Sequence, residues 1–177
     1  MKGESIVIIT NINIRKMTDN DYEVMAKWLS TKEVLEFYGD VNSPFTIDQV
    51  RNKYEPRIRG DVLVSPFIVE LGSSPIGFMQ YYKLEEQNDF GYSTNQVVYG
   101  IDQFIGVPNL FNKGYGTIMV STFIDFISSN TDADVIILDP EVSNVRAIRC
   151  YEKCGFLRVK KFNNESNLLM EFKISKA

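Results

Sequence analysis

Apolar and polar positions along this chain switch between a two-residue and a helical period, and the switches mark out its elements. Ile6 to Arg15 alternates in its second half and predicts an opening strand. Thr18-Asp19-Asn20-Asp21 reads as a capping box for a helix through about Leu29, with Met25, Trp28 and Leu29 inward. Lys32 to Tyr38 predicts a second short helix ending at Gly39, and Asn42-Ser43-Pro44 a turn. Thr46 to about Arg59 predicts a helix disturbed by Pro56. Val62 to Leu71 predicts a strand, with Pro66 marking an edge or a bulge, and the Gly72–Pro75 turn joins it to a strand from Ile76 to about Leu84.

Polar Glu85 to Asn95 reads as a loop. Gln96 to Ile105 is the next strand, and Gly100 inside it predicts a bulge or a close ligand approach. After a loop from Pro108 to Lys113, Gly114 to about Ser128 is a strongly apolar helix, and Asp134 to Leu138 a buried strand stopped by Asp139-Pro140. Asn144 to Cys154 is amphipathic: Ala147, Cys150, Tyr151 and Cys154 share a stripe, while Arg146, Arg149, Glu152 and Lys153 lie opposite. Gly155 stops that helix, and strands follow near Phe156 to Phe162 and Leu168 to Ile174. The pattern is a mixed α/β domain over residues 1–177, with no repeat and no linker.

A chain of 177 residues, 44% hydrophobic, is long enough to close one full core. No apolar run of 18 residues is present, so a membrane span is not expected. No secretory signal is visible at the N-terminus, and Cys150 and Cys154, four apart on one helix, read as buried thiols; both favour a cytoplasmic setting. The chain contains no histidine, which excludes His-based triads and zinc sites and leaves carboxylate, lysine, tyrosine or water as a base. A net charge of −4 argues against nucleic acid as a partner.

Charge is unevenly distributed. Leu84 to Asn112 carries no Lys or Arg, yet holds Glu85, Glu86, Asp89 and Asp102. Val142 to Lys161 holds Arg146, Arg149, Lys153, Arg158, Lys160 and Lys161 against Glu152 alone. Either these stretches are ordinary solvated surface, or one end of a cleft favours a cation and the other an anion.

Asn112-Lys113-Gly114-Tyr115-Gly116-Thr117 opens the apolar helix, where glycines let backbone N–H groups approach a phosphate. It lacks the Lys-Ser/Thr of a Walker A loop, and a plain turn with helix packing would use the same glycines. Tyr151 sits at the edge of its stripe, so its ring can be buried while its hydroxyl reaches a cleft and donates a proton to a leaving group. A core tyrosine bonded to backbone is the alternative.

The ordered set of a glycine-bearing strand, a Gly-x-Gly helix start, a short strand and a helix ending Tyr151-Glu152-Lys153-Cys154-Gly155-Phe156 resembles the GCN5-related N-acetyltransferase (GNAT) superfamily. Asn112 to Gly116 matches the glycines of that superfamily's pyrophosphate loop and the basic residue preceding them, with Phe111 in place of its first Gln or Arg. Trp28-Leu29, Glu36-Phe37-Tyr38-Gly39, Pro75-Ile76-Gly77, Gly100-Ile101-Asp102-Gln103 and Asp139-Pro140 with Asn144 to Arg149 are similar to the aminoglycoside 6′-N-acetyltransferases.

The resemblance implies a GNAT fold: a central, mostly antiparallel twisted sheet flanked by helices, with splayed strands that bind acetyl-CoA and no metal. It implies acetyl transfer from acetyl-CoA to the 6′-amine of an aminoglycoside, conferring antibiotic resistance. Asp102 is then the base, or it anchors the ammonium while water carries the proton. Backbone N–H groups at a strand irregularity near Ile101, Gln103 and Phe104 would hold the thioester oxygen. Lys113 to Thr117 would hold the pyrophosphate, Asn144 the pantetheine amides unless it only caps its helix, and Tyr151 would protonate the thiolate. Asp139 would bind a further ammonium or serve only the turn at its strand end, and Tyr38 and Trp28 would stack on a sugar or, for Trp28, fill the core. Glu85, Glu86 and Asp89 would form a lip over a polycation or a solvated loop.

A GNAT enzyme acting on a protein N-terminus or ribosomal protein, a non-catalytic module binding drug or CoA, and an unrelated α/β domain are the competing readings. The expected state is a monomer or homodimer with no nucleic-acid or membrane partner.

Overall fold

The computed structural model describes residues 11–85 and 90–175. Its seven strands form one sheet: β1 (Ile12–Lys16), β2 (Val64–Leu71), β3 (Ser74–Lys83), β4 (Val98–Ile105), β5 (Val135–Leu138), β6 (Leu157–Phe162) and β7 (Asn167–Lys173), in the order β1-β2-β3-β4-β5-β7-β6. Every neighbouring pair is antiparallel except β4 and β5. The first half of the opening alternation, residues 6–10, lies outside the described residues.

Helices cover both faces. α1 (Tyr22–Trp28), α2 (Lys32–Leu35) and α3 (Ile47–Arg59) pack Met25, Trp28, Val34, Val50 and Tyr54 against Ile68, Phe78 and Phe104. On the other face, α4 (Tyr115–Asn130) and α5 (Val145–Lys153) join the larger cluster through Met119, Phe123, Ile127, Ile148 and Tyr151. In α4 the buried positions 119, 120, 123, 124 and 127 follow the helical period, which is why an apolar run of this length forms a helix and not a strand.

Several elements differ locally from expectation. Asp19–Asp21 is a single 3-10 turn ahead of α1, and the Asp21 carboxylate accepts from the Thr18 N–H at 2.8 Å. Asp21 is buried as an ion: Arg15 meets both its oxygens at 2.8 Å, so the charge is paired in the bidentate geometry that offsets its desolvation. The second helix is one turn, not seven residues; the chain leaves it so that the Tyr38 ring rests 4.6 Å from that of Phe104. Pro56 is carried inside the last turn of α3, which Gly60 ends at φ 82°. β2 is bulged between Val69 and Glu70 and not at Pro66.

The Gly100 bulge is also corrected. β3 and β4 pair without interruption from Gly77–Ile105 to Lys83–Tyr99. Gly100 is needed because the Tyr82 ring lies over it; a Cβ there would sit 2.4 Å from the ring. Three cross-strand pairs therefore share this face: Phe78 stacked on Phe104, Gln80 beside Asp102, and Tyr82 over Gly100.

Candidate active site

The irregularity that matters is a parting of strands. β5 pairs with β4 only at Val98, Tyr99 and Gly100, then ends at Leu138. From Ile101 to Ile105 the β5-facing edge of β4 has no strand beside it. A cleft of about 750 Å³ occupies the gap, lined by Ile101 to Ile105, Leu138 to Glu141, and the first turns of α4 and α5.

Backbone alternation decides which β4 groups face that gap. Val98 O accepts from Leu84 N (2.9 Å) and Gly106 N donates to Ile76 O (2.8 Å), so even-numbered residues turn their peptide groups to β3. Val97 O accepts from Val135 N (3.2 Å), so odd-numbered residues face β5. With the last rung at Gly100–Ile137, the first N–H beyond the ladder belongs to Gln103. Phe104 is thereby corrected as a backbone donor: its N–H faces β3, and its ring packs among Trp28, Tyr38 and Phe78.

Side chains alternate too. Asp102 lies on the α3 face and Gln103 on the α5 face, so the cleft meets both at the open edge. Gln80 Nε2 donates to Asp102 Oδ2 at 2.6 Å. Burial pushes the Asp102 carboxyl up, opposed by that hydrogen bond and by the Arg57 and Lys53 charges. Asp139, at the end of β5, is pushed up to about 6 by burial and then by the Asp102 charge.

On the other face Gln103 Nε2 donates to the Tyr151 hydroxyl at 2.6 Å. Burial holds the phenol well above its ordinary range, with the Gln103 hydrogen bond working against it, so the hydroxyl keeps its proton near neutral pH. Because its oxygen is the acceptor from Gln103, that proton is left to be given elsewhere. Gln103 Oε1 is buried with no hydrogen-bond partner among the described residues, an acceptor that suits an N–H of a bound ligand.

Gly114 starts α4 at φ 85° with open space where a Cβ would be, and a Cβ on Gly116 would come 3.3 Å from Cys150 Sγ. Free N–H groups of the first turn thus point from an uncrowded helix start, the geometry an anion needs. Lys113 and Tyr115 do not line the cleft; Tyr115 leans on the core, whereas Asn112 and Thr117 do line it. Asn144 does line it while capping α5: its Oδ1 accepts from Ala147 N at 3.2 Å, and its amide N–H₂ has no protein partner among the described residues.

Tyr38 lines the cleft, half-buried, whereas Trp28 is core: a Cβ on Gly106 would lie 2.2 Å from the Trp28 ring. Glu85 borders a separate cavity of about 160 Å³, not the cleft. Glu86 and Asp89 lie outside the described residues. Cys150 and Cys154 are half-buried and not fully buried, stitching α5 to α4 through Thr117 and Ser121 at 3.6 Å; Ile148, outside the expected stripe, is buried instead.

Sequence reading missed Glu33 and Glu141, which line the cleft, and Arg57 and Gln80 behind Asp102. It also missed the role of Phe111: the Arg146 guanidinium lies 4.1 Å from its ring centre, so a cation from α5 stands beside the loop position that Phe111 occupies. Helical spacing put Arg146 on a wet face, but only the approach of α5 to the loop brings it to the cleft.

The cleft has a basic end that suits a phosphate-tailed acyl donor and an acidic end that suits an amine, the two substrates of an acyl-CoA-dependent N-acyltransferase. Residues 17–164 match the family model described as an acetyltransferase (GNAT) domain. The aminoglycoside N(6′)-acetyltransferase type 1 of Klebsiella pneumoniae is 34% identical over 157 residues, covering 85% of this chain and 78% of that protein. The crystal structure of the aminoglycoside acetyltransferase AAC(6′)-Ib with coenzyme A aligns at TM-score 0.79 and 30% identity, covering 92% of this chain and 95% of that one. Its complex with coenzyme A and kanamycin aligns at 0.78 and 29%, over 92% and 95%. The chain belongs to the GNAT acetyltransferase family.

Proposed function

We propose that the protein transfers the acetyl group of acetyl-CoA to the 6′-amine of aminoglycoside antibiotics and so confers resistance to them. The observation that carries the reading is the placement of Asp102 and Tyr151 on opposite faces of β4 beside the same unpaired edge. A direct transfer needs a proton acceptor at the amine and a donor at the sulfur, on either side of one carbonyl.

Asp102 takes the ammonium proton, directly or through water, or holds the ammonium while water takes it. The Gln103 N–H holds the carbonyl oxygen, Tyr151 donates to the departing thiolate, and the Gln103 side chain steadies the phenolate left behind. Acetyl-CoA supplies the activated acyl group. The Gly114–Thr117 turn and Arg146 meet its phosphates, and Asn144 N–H₂ and Gln103 Oε1 suit pantetheine amides. Asp139, Tyr38 and the neighbouring Glu33 and Glu141 receive the amino sugar.

The relatives' names support the drug as acceptor, since AAC(6′)-Ib has been crystallised with kanamycin and coenzyme A. The enzyme is read as a cytoplasmic monomer or homodimer, and its net charge of −4 argues against a nucleic-acid partner. Among the described residues no helix is long and apolar enough to cross a membrane.

The test is acetyl-CoA consumption with kanamycin-type substrates, the product mapped by NMR, on the wild type and on Tyr151→Phe. Acetylation at the 6′-nitrogen is expected, with Tyr151→Phe slowed roughly 100-fold or more at little change in CoA affinity. Acetylation at another amine, preference for peptide amines, or tight binding without product would each overturn the reading.

A further inference from the structure

Asp102 does not stand alone in the cleft wall. Its partner Gln80 sits directly opposite on β3, is 6% exposed, and uses both ends of its amide. Gln80 Nε2 donates to Asp102 at 2.6 Å, and Gln80 Oε1 accepts from Arg57 Nη1 at 2.6 Å. Arg57 comes from the last turn of α3, its guanidinium 5.3 Å from the Tyr54 ring centre. A guanidinium can only donate, and a carboxylate can only accept. Arg57 therefore dictates which way the Gln80 amide points: oxygen outward to Arg57, N–H₂ inward to Asp102.

We propose that Arg57 is a positioning residue for acetyl transfer, locking the Gln80 amide so that Asp102 Oδ2 is held and Oδ1 is left to meet the substrate amine. The inference rests on the reading of Asp102 as the group that meets the amine. Without Arg57, the Gln80 amide is free to turn and set its oxygen against the carboxylate, a repulsive contact in a buried site. The lock costs no substrate contact, because Arg57 does not line the cleft. It works through one side chain, over two hydrogen bonds, from a helix to the sheet.

The same arrangement controls the charge of Asp102. From α3 it is faced by Arg57, Lys53 and Tyr54, from β3 by Tyr82 and from the turn after α2 by Tyr38. Across the cleft stand Asp139 and Tyr151. The Gln80 hydrogen bond and the two cations favour the ionised carboxylate, and Arg57 is the cation that is wired to it through Gln80.

Arg57→Leu and Arg57→Lys test this, each alone and in the Asp102→Asn background, with kcat and KM for both substrates followed against pH. Arg57→Leu is expected to lose roughly 10- to 100-fold in kcat. Its acid limb of kcat/KM should move up by about one pH unit, and KM for acetyl-CoA should stay within about twofold. Arg57→Lys, which keeps the charge but can still donate, should recover part of the rate. It also serves if the leucine variant fails to fold.

In the Asp102→Asn background neither change should lower kcat further, because the group they position is gone. An unmoved acid limb with unaltered kcat, or equal losses with and without Asp102, would overturn the proposal. If Asp102→Asn itself leaves both rate and aminoglycoside KM untouched, the reading of Asp102 has failed, and the two failures are told apart.

Discussion

Two aspartates share the acidic end of the cleft in different environments. Asp102 has a hydrogen-bond donor and two cations behind it, whereas Asp139 has burial and the charge of Asp102, which carry it up to about 6. Near pH 6 the free enzyme therefore gains a second cation-binding carboxylate as pH rises. The kcat/KM for an aminoglycoside is expected to climb through that region, and Asp139→Asn should lack that part of the climb. Stability has the opposite slope. A carboxyl raised in the folded state from its ordinary 3.8 contributes stability that is fully present below about 3.8 and is lost as pH rises through about 6. Urea unfolding should find Asp139→Asn more stable than the wild type at pH 7, with the difference closing near pH 4. The acidic residues themselves could be picked from the sequence, but their unlike environments could not. Arg57 and Gln80 are separated from Asp102 by 45 and 22 positions, and no local spacing announces a contact made across two strands and a helix.

Elements were legible where the apolar period was long. The helix expected from Gly114 to about Ser128 is Tyr115–Asn130, and the buried strand before Asp139-Pro140 lies where its continuous apolar run puts it. Glycines were read less well, because their causes sit on other elements. Gly100 makes room for Tyr82 and marks no bulge, and Gly106, which no local pattern singles out, makes room for Trp28. The Trp28 ring is 3% exposed and wedged edge-on to Phe104, so it has nowhere to move. Gly106→Ala is accordingly expected to destabilise the fold by about 1–3 kcal/mol through overpacking, measured as a lower denaturant midpoint at unchanged slope. An unaltered midpoint would mean that the wedge relaxes freely. Because Gly106 directly follows β4, the same variant should also slow turnover.

Across the molecule, charge is divided along one cleft: carboxylates gather where β5 ends, and Arg146, Arg149 and Lys153 line the end beside the Gly114 loop. Arg146→Ala should raise KM for acetyl-CoA roughly three- to tenfold while leaving the aminoglycoside KM within about twofold, and the difference should shrink at high salt. Equal effects on both substrates would contradict the division. The sequence by itself determined the period of nearly every element, the acid-to-base asymmetry, the glycine-led helix start and the family motifs, because these are local properties of consecutive side chains. Only the tertiary structure decided that β4 and β5 part after Gly100, that the Gln103 and not the Phe104 N–H meets the gap, and that Arg57 reaches Asp102 through Gln80. Those features depend on strand partners, on which edge of a strand is left open, and on contacts between residues far apart in the chain, and periodicity along one segment carries no record of them.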